Sequence, residues 1–185
     1  MNIKPILSLA DFKQMESMEK EYYSPEFIAD YNEAFDWYNR FSFTTMAIED
    51  QGRIVGFLDL FPITRKTFDL ISQGTFNDKN LTAENILDIR KTDLAPVNLF
   101  LSCIVIDKAY RKTEALKILL KAYVDYYNAC ISRGIIIDQI ITDNVTLEGE
   151  RFSAKIGFRK ILDTNHSSVV YCQSYNEFSL KVTGL

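Results

Sequence analysis

The chain has 185 residues, of which 47% are hydrophobic and 25% are charged, as in an ordinary globular protein with one substantial core. Its formal net charge of −4 gives the molecule as a whole no electrostatic reason to bind nucleic acid or a membrane surface. No apolar run approaches the roughly 18 residues of a membrane span, and the N-terminus lacks the pattern of a signal peptide. We therefore expect a cytoplasmic protein with neither nucleic acid nor membrane as a partner.

The three cysteines, Cys103, Cys130 and Cys172, are widely spaced and lack the C-x-x-C pattern of a metal site. We interpret them as reduced thiols, as is usual inside cells. Cys103 lies inside an apolar run, which favours a small core residue over a nucleophile. No pattern along the chain is typical of a metal centre, and none is expected.

The N-terminal part predicts a first strand within residues 2–7 and two helices, 10–21 and 25–41. Ser24 followed by Pro25 is typical of a helix start, which places the beginning of the second helix there. Aromatic residues recur along this helix at helical spacing and form either core or one wall of a pocket: Phe27, Tyr31, Phe35 and Tyr38.

A hairpin and an insertion follow. Residues 43–60 contain two β-rich runs joined by a turn with Asp50 and Gly52. Residues 63–98 are mostly polar, with helical patterns at 65–73 and 82–91. Their apolar residues are too few for an independent core, so this stretch is predicted to be a helical insertion rather than a second domain.

The second half predicts a crossover unit: strand 99–106, helix 114–133 and strand 135–142, with the two strands parallel. A short helix, 146–156, and a final hairpin around Asn165 and His166 close the chain. Residues 1–185 are thus predicted to form one α/β (α+β) domain, a mixed central sheet with helices on both faces. Ligands of such sheets bind at the carboxyl ends of parallel strands and at helix N-termini.

Basic residues cluster where the helix of the crossover unit begins, although the chain as a whole is acidic. A helix start carries unpaired N–H groups and a partial positive charge. The cluster therefore indicates an anionic ligand such as a phosphate or pyrophosphate; the alternative is a solvated helix face. Its members are Lys108, Arg111, Lys112, Lys117 and Lys121.

This segment resembles a known family. "VIDKAYRKTEALKILL" is similar to the acyl-CoA-binding segment of the GNAT acyltransferase superfamily, with Asp107, Tyr110 and Arg111 matching its strand-end turn. "ERFSAKIGFRKI" resembles the family's next motif through Lys155, Gly157 and Phe158, and "GRIVGFLDL" resembles the strand and turn before the CoA strand. The three motifs occur in the family's order.

The resemblance implies a GNAT fold and an acyl-CoA-dependent N-acyltransferase, acting as a monomer or homodimer. Its acyl donor would be acetyl-CoA or another acyl-CoA, and its acceptor a primary amine of a small molecule or peptide. Backbone N–H groups after Ile104 would polarise the thioester carbonyl. The implied cofactor-binding residues are Ile104, Val105, Ile106, Arg111, Lys112, Thr113, Glu114, Ala115, Leu116, Lys117 and Asn144.

Three positions depart from the family pattern. Glu114 and Leu116 stand where the family uses small residues that let the backbone approach the pyrophosphate. The Glu114 carboxylate either occupies the helix start itself, points to solvent, or pairs with Lys117 or Lys112; alternatively, the cofactor binds nearer to Arg111. Ser153 stands where many members have a tyrosine that protonates the leaving thiolate, and it is kept as a candidate catalytic residue.

Asp59 is the candidate general base, because a carboxylate within the apolar run "GFLDLF" is costly unless it is paired or used. The alternative is a satisfied aspartate at a strand edge. His166 is the chain's one histidine, and its position in a predicted turn makes it a weaker candidate. A non-catalytic GNAT-fold protein that senses a ligand or binds a partner remains the second functional hypothesis.

Overall fold

One seven-stranded sheet forms the centre of the protein. The computed structural model describes residues 1–41, 43–91 and 95–185, except for the side chains of Glu26 and Asp78. The strands are β1 Asn2–Ile3, β2 Thr45–Asp50, β3 Arg53–Ile63, β4 Val97–Ile106, β5 Ile137–Asn144, β6 Arg159–Asp163 and β7 Val169–Ser174. Their order across the sheet is β1-β2-β3-β4-β5-β7-β6. Strands β4 and β5 are parallel, while every other neighbouring pair is antiparallel. The predicted mixed sheet with a central parallel pair is confirmed.

Helices cover both faces of this sheet. They are α1 Leu9–Glu19, α2 Tyr31–Arg40, α3 Arg65–Ser72, α4 Ala115–Ile131, α5 Leu147–Ile156 and α6 Tyr175–Thr183. Helices α4 and α6 pack on one face, and α1, α2 and α3 pack on the other. Among the described residues, no helix combines the length and apolar character needed to cross a bilayer.

Strand β4 shows why an uninterrupted apolar run forms the centre of the sheet. Successive side chains of a strand point to opposite faces. Leu99 and Leu101 accordingly pack in the cluster under α4, while Phe100 packs in the cluster under α3. All three side chains are almost inaccessible to solvent, as expected for a strand covered on both faces.

The prediction of one helix over residues 25–41 was wrong. A short 3-10 turn, Pro25–Phe27, comes first, and α2 begins at Tyr31. The cause is Asp30, whose carboxylate accepts the backbone N–H groups of Asn32 and Glu33 and so begins a new helix. The first strand is also shorter than predicted, since β1 has two residues.

The aromatic stripe predicted along that helix is divided between two environments. Phe27 and Tyr31 line a cavity. Phe35 and Tyr38 instead pack on Phe12 of α1, each with its ring centroid 5.5 Å from that of Phe12.

The insertion predicted at residues 63–98 is shorter and less helical than expected, because β3 ends at Ile63 and β4 begins at Val97. The helix predicted at 65–73 is confirmed as α3. The helix predicted at 82–91 was wrong: Ala83–Asn85 and Ile89–Lys91 form separate 3-10 turns. The reason is that Thr64 donates to the Asn85 carbonyl and Leu87 to the Pro62 carbonyl, which draws this segment alongside the end of β3. Residues 92–94 of the predicted range lie outside the described part of the chain.

A helix, and not the predicted hairpin, ends the chain. The hairpin exists as β6 and β7, but α6 follows it directly. The Ser174 side chain accepts the backbone N–H of Glu177 and thereby caps α6. Phe178 of α6 is fully buried and packs edge-on against Phe158 at a centroid distance of 6.0 Å. This anchors the segment after Gly157, where α5 ends in a left-handed conformation with φ of 103°.

Candidate functional site

The two parallel strands separate at their carboxyl ends. Their pairing runs from Val97 opposite Ile137 to Phe100 opposite Ile141. Beyond that point β4 continues to Ile106 along β3, whereas β5 continues to Asn144 along β7. A gap therefore opens in the middle of the sheet, at the edge where ligands of such folds bind.

A cavity of about 740 Å³ occupies this gap. Its walls come from α1, the segment leading into α2, β3, the diverging ends of β4 and β5, and the starts of α4 and α5. The volume lies within the range of small-molecule and cofactor sites. Aromatic residues form much of the wall on the side of α1 and α2, including Tyr22, Tyr23, Phe27, Tyr31 and Trp37.

Strand β4 presents backbone groups to this gap. Asp107 donates its N–H to the Val55 carbonyl of β3, and backbone groups alternate in direction along a strand. The backbone N–H and C=O groups of Ile104 and Ile106 therefore point away from β3, towards the gap. The Ile104 carbonyl accordingly accepts the Tyr23 hydroxyl at 3.4 Å, and the Ile106 carbonyl accepts Arg111 Nε at 3.2 Å.

The start of α4 lies at the mouth of the cavity. Its first intrahelical bond runs from the Ile118 N–H to the Glu114 carbonyl, so the preceding N–H groups are free of helical partners. The Ala115 N–H is taken by the Thr113 hydroxyl at 3.2 Å. Arg111 lies over the ring of Tyr22, at 4.6 Å from its centroid, which places a guanidinium beside the opening.

The predicted cofactor residues divide into two groups. Ile104, Val105, Ile106, Arg111, Leu116 and Asn144 line the cavity. The remaining five belong to the α4 start but, among the described residues, are not part of the cavity wall: Lys112, Thr113, Glu114, Ala115 and Lys117.

Glu114 does not occupy the helix start with its own carboxylate. Its side chain is 68% exposed, makes no capping hydrogen bond, and lies 3.3 Å from the Lys117 ammonium. The sequence left several positions open for the Glu114 carboxylate, and in the structure it pairs with Lys117. The N–H groups of Leu116 and Lys117 are thus not blocked by this carboxylate.

A cluster of ionisable groups lies deeper, on the face of the sheet covered by α1. Asp59 of β3 stands directly opposite Cys103 of β4, next to a bulge in the pairing of the two strands. Glu19 reaches the same point from the last turn of α1, and Cys103 Sγ donates to Glu19 Oε1 at 3.3 Å. One carboxylate oxygen of Asp59, one of Glu19 and the sulfur of Cys103 all lie within 4.8 Å of one another. Cys103 is thus half-buried in the cavity wall and not simply a core residue.

Burial gives both carboxyl groups unusual acidities. It raises the pKa of Asp59 to about 7, against a smaller lowering by the hydrogen bond with Thr45. It likewise raises the pKa of Glu19 to about 8, with repulsion from Asp59 adding to the effect. Burial, followed by repulsion from Glu19 and Asp59, raises the pKa of Cys103 well above its usual range. Raised pKa values of this kind suit general acid–base chemistry near neutral pH.

Glu19 was missed by the sequence reasoning. The signal was nevertheless present: Phe12 and Met15 are buried on the inner face of α1, and Glu19 lies four residues after Met15 on that same face. A carboxylate at a core-facing position of an amphipathic helix has the same significance as Asp59 in its apolar strand.

Ser153 is fully buried on the inner side of α5. Its hydroxyl accepts Asn144 Nδ2 at 3.0 Å. Asn144 lines the cavity whereas Ser153, among the described residues, is not part of its wall. The hydroxyl thus orients the amide of Asn144 at the end of β5.

A second acidic group lies at the end of β5. Asp143 lines the cavity with a side chain that is only 3% exposed, and its Oδ2 lies 3.2 Å from His166 Nε2. His166 sits between β6 and β7, and its Nδ1 lies 3.1 Å from Asn165 Oδ1. Both ring nitrogens of His166 thus have partners, which ties the β6–β7 turn to β5.

Comparison with known proteins identifies the architecture. No family model matches the chain, nor does any curated protein. Among solved structures, GphF, a GNAT-like decarboxylase in complex with isobutyryl-CoA, is similar with a TM-score of 0.60 and 13% identity, covering 94% of this chain and 99% of that one. Ard1 from Thermoplasma volcanium is similar with a TM-score of 0.58 and 14% identity, covering 94% of this chain and 96% of that one. Arabidopsis thaliana NAA60, in complex with a bisubstrate analogue, is similar with a TM-score of 0.58 and 14% identity, covering 93% of this chain and 96% of that one. The chain therefore has the GNAT fold, as the sequence resemblance implied.

Proposed function

We propose that this protein transfers the acyl group of an acyl-CoA to a primary amine, and that Asp59 and Glu19 take up the proton of that amine. One observation carries the proposal. The cavity in the gap between β4 and β5 is lined by the carboxyl groups of Asp59 and Glu19, whose pKa values burial raises to about 7 and about 8. This combination suits an N-acyltransferase, because an ammonium ion must lose a proton before its nitrogen can attack a thioester.

The residues at the mouth suit the acyl donor. The edge of β4 at Ile104 and Ile106 has no neighbouring strand in the described part of the chain, so it suits an extended chain with amides that pairs in the manner of an added strand. Such a chain would replace the contacts that Tyr23 and Arg111 make with the two carbonyls. The N–H groups at the start of α4 and the Arg111 guanidinium suit a pyrophosphate. Acyl-CoA, as the second substrate, supplies an acyl group already activated as a thioester.

The departures from the family pattern affect affinity more than chemistry. Glu114 is exposed and paired with Lys117, so its repulsion of a phosphate is largely screened by solvent. Leu116 lines the cavity and narrows the approach to the helix start. We assign Ser153 to the positioning of Asn144, because its hydroxyl is bonded to that residue.

In the proposed reaction the ammonium of the acceptor gives a proton to the Asp59–Glu19 pair. The amine nitrogen then forms a bond to the acyl carbon as the carbon–sulfur bond breaks. Backbone N–H groups of β4 stabilise the charge that develops on the acyl oxygen. As the amide forms, its nitrogen loses a second proton, which passes through water at the open mouth to the departing thiolate, and the carboxyl pair returns the first proton to solvent.

The test is release of free CoA thiol from acetyl-CoA in the presence of a panel of small amines and short peptides. Asp59→Asn should lower kcat/KM by about 10²- to 10⁴-fold, the usual contribution of a general base. The wild-type rate should rise with pH through about 7 to 8, following the pKa values of the pair. Asp125→Asn removes the same charge from an exposed position on α4 and serves as the matched control.

Two results contradict the proposal in different ways. If calorimetry detects no binding of acetyl-CoA, the gap is not an acyl-CoA site. If acetyl-CoA binds and no amine in the panel accelerates thiol release, the non-catalytic ligand-sensing alternative is the better account.

A further inference from the structure

Asp143 is a buried acidic residue of the cavity wall that the proposed chemistry does not use. It belongs to β5, whereas Asp59 and Glu19 approach from β3 and α1. The two acidic sites therefore lie on opposite sides of the gap between the diverging strands, within the same cavity.

One oxygen of this carboxylate lacks a partner. Asp143 Oδ2 is held by His166, but Oδ1 has no hydrogen bond to any described residue and no contact with solvent. A carboxylate oxygen left in this state is costly, and buried carboxylates are normally paired or bound to a cation. The feature points to a positively charged group of a ligand that enters the cavity.

The cationic side chains of the cavity wall are engaged elsewhere. Lys108 and Arg111 lie over the ring of Tyr22, and Lys79 lies over the ring of Phe27. Lys108 is also 3.9 Å from Glu21. These three cations thus lie at the aromatic side of the wall. Among the described residues His166 contacts Asp143 only at Oδ2, so a ligand is the natural source of a cationic partner for Oδ1.

We propose that the acceptor is a small aliphatic diamine, which binds with one ammonium at Asp143 and presents its other nitrogen to Asp59 and Glu19. The inference rests on the proposed function and names the substrate class of that same site. A diamine satisfies both acidic sites at once, and its methylene chain packs against the aromatic wall. A simple monoamine satisfies only one of them. Because Asp143 is buried, the ligand ends there, which favours a free diamine over the interior of a peptide.

The test is a direct binding measurement that does not depend on turnover. Calorimetry on the full-length protein, without acyl-CoA, compares 1,4-diaminobutane with 1-aminobutane, which has the same chain and one ammonium fewer. We expect the diamine to bind at least tenfold more tightly. Asp143→Asn should reduce this ratio to near one, whereas Asp138→Asn should leave it unchanged, because Asp138 is an exposed aspartate of the same strand.

A chain-length series keeps the test independent of how the variant folds. Diamines from three to six carbons should show an optimum at one spacing in the wild-type protein, since two fixed carboxyl sites select one length. Equal affinity for diamine and monoamine, binding of neither, a monotonic rise with chain length, or an unchanged ratio in a folded Asp143→Asn variant would each overturn the inference. Thiol release is measured separately: if diamines bind with the expected selectivity and are not acylated, the acyltransferase proposal fails while the diamine site stands.

Discussion

At the level of single residues, burial of Asp59 changes its acidity and, through it, the stability of the fold. The pKa of this carboxyl is about 7 in the folded protein and near 3.8 in an unfolded chain. Between these values the folded protein binds more protons than the unfolded one, so the free energy of unfolding falls as the pH rises through this window. The raised pKa that we propose for proton transfer near neutrality therefore has a cost, because the charged Asp59 destabilises the fold at that pH.

Asp59→Asn should accordingly stabilise the protein at pH 8 and have little effect at pH 4. A shift of about three pKa units sets an upper bound of about 4 kcal/mol on the gain. Urea denaturation at both pH values measures it. Asp50→Asn is the control with opposite sign, because the hydrogen bond from Tyr110 lowers the pKa of Asp50. Its loss should cost stability at pH 8, and the cost should shrink as the pH falls towards the lowered pKa of Asp50. A wild-type protein that equals or exceeds Asp59→Asn in stability at pH 8 would contradict the argument.

The α4 start yields a second prediction at this scale. Arg111→Ala should weaken acetyl-CoA binding about tenfold, since it removes a guanidinium from the mouth of the cavity. Glu114→Gly should tighten it only about two- to threefold, because an exposed carboxylate paired with Lys117 is well screened. Calorimetric titration with acetyl-CoA measures both, with Arg151→Ala on the exposed side of α5 as control. Unchanged affinity in both variants would mean that no anion binds at this turn.

The sequence revealed part of this site and not the rest, for a physical reason. Asp59 was recognisable because its neighbours along the strand are all apolar, which is a local signal. Glu19 has a local signal, its place on the buried face of α1, but that signal does not show that Cys103, 84 residues away in the chain, lies beside it. Asp143 becomes significant only through His166, which is 23 residues away. Nothing in the local sequence indicates which pairs of distant residues the fold brings together.

At the level of elements, α4 does more than cover the sheet. Strand β2 begins at Thr45, opposite Asp59, so β3 extends beyond the end of its neighbour. There the Leu60 N–H donates to the Tyr123 hydroxyl at 3.4 Å, and the Leu60 carbonyl accepts the Tyr127 hydroxyl at 2.8 Å. Two tyrosines one turn apart on α4 thus replace the missing strand beside the residue that follows Asp59.

Tyr123→Phe should therefore destabilise the protein by about 1–3 kcal/mol, the cost of leaving buried backbone groups without partners. The Tyr123 hydroxyl also donates to the Leu58 carbonyl at 2.9 Å, so the loss falls on both sides of Asp59. Thermal and urea unfolding measure the change. Tyr31→Phe is the control, because the hydroxyl of Tyr31 makes no hydrogen bond to the described residues. Equal stability of the Tyr123 and Tyr31 variants would show that the hydroxyl network is dispensable.

The elements themselves were predicted best where one periodic pattern governs a long segment. The crossover unit β4, α4 and β5 follows from its apolar strands and from the helical repeat between them. Helix α6 was missed although Ser174 followed by Glu177 three residues later is a helix-start signal. The segment at 82–91 has helical periodicity, yet hydrogen bonds to the end of β3 override it. Helix propensity determines the local structure only where tertiary contacts do not favour another conformation, and elsewhere the tertiary contacts determine it.

At the level of the whole molecule, the insertion between β3 and β4 determines whether the chain is one unit. Phe68 and Ile71 of α3 pack in one cluster with Phe100 of β4 and Ile141 of β5. Trp37 of α2 belongs to the same cluster. The insertion thus shares its core with the sheet and with the helical layer beside the cavity, which supports the proposal that residues 64–96 are an insertion within one domain.

This packing makes cooperativity testable with a probe already present. Trp37 is the chain's one tryptophan, so its fluorescence reports on the cluster that includes α3, while far-UV circular dichroism reports on all helices and strands. If the chain is one domain, the two signals should follow a single urea transition.

Phe68→Ala should shift both midpoints together, by a loss of about 3 kcal/mol, because it removes a large side chain from that shared core. Lys66→Ala, on the exposed side of the same helix, should leave both midpoints in place. Two separated transitions in the wild-type protein, or a shift of the fluorescence midpoint alone in Phe68→Ala, would mean that the insertion unfolds as a unit of its own. In that case the cavity wall formed by α2 would have to be treated as part of a separately mobile layer.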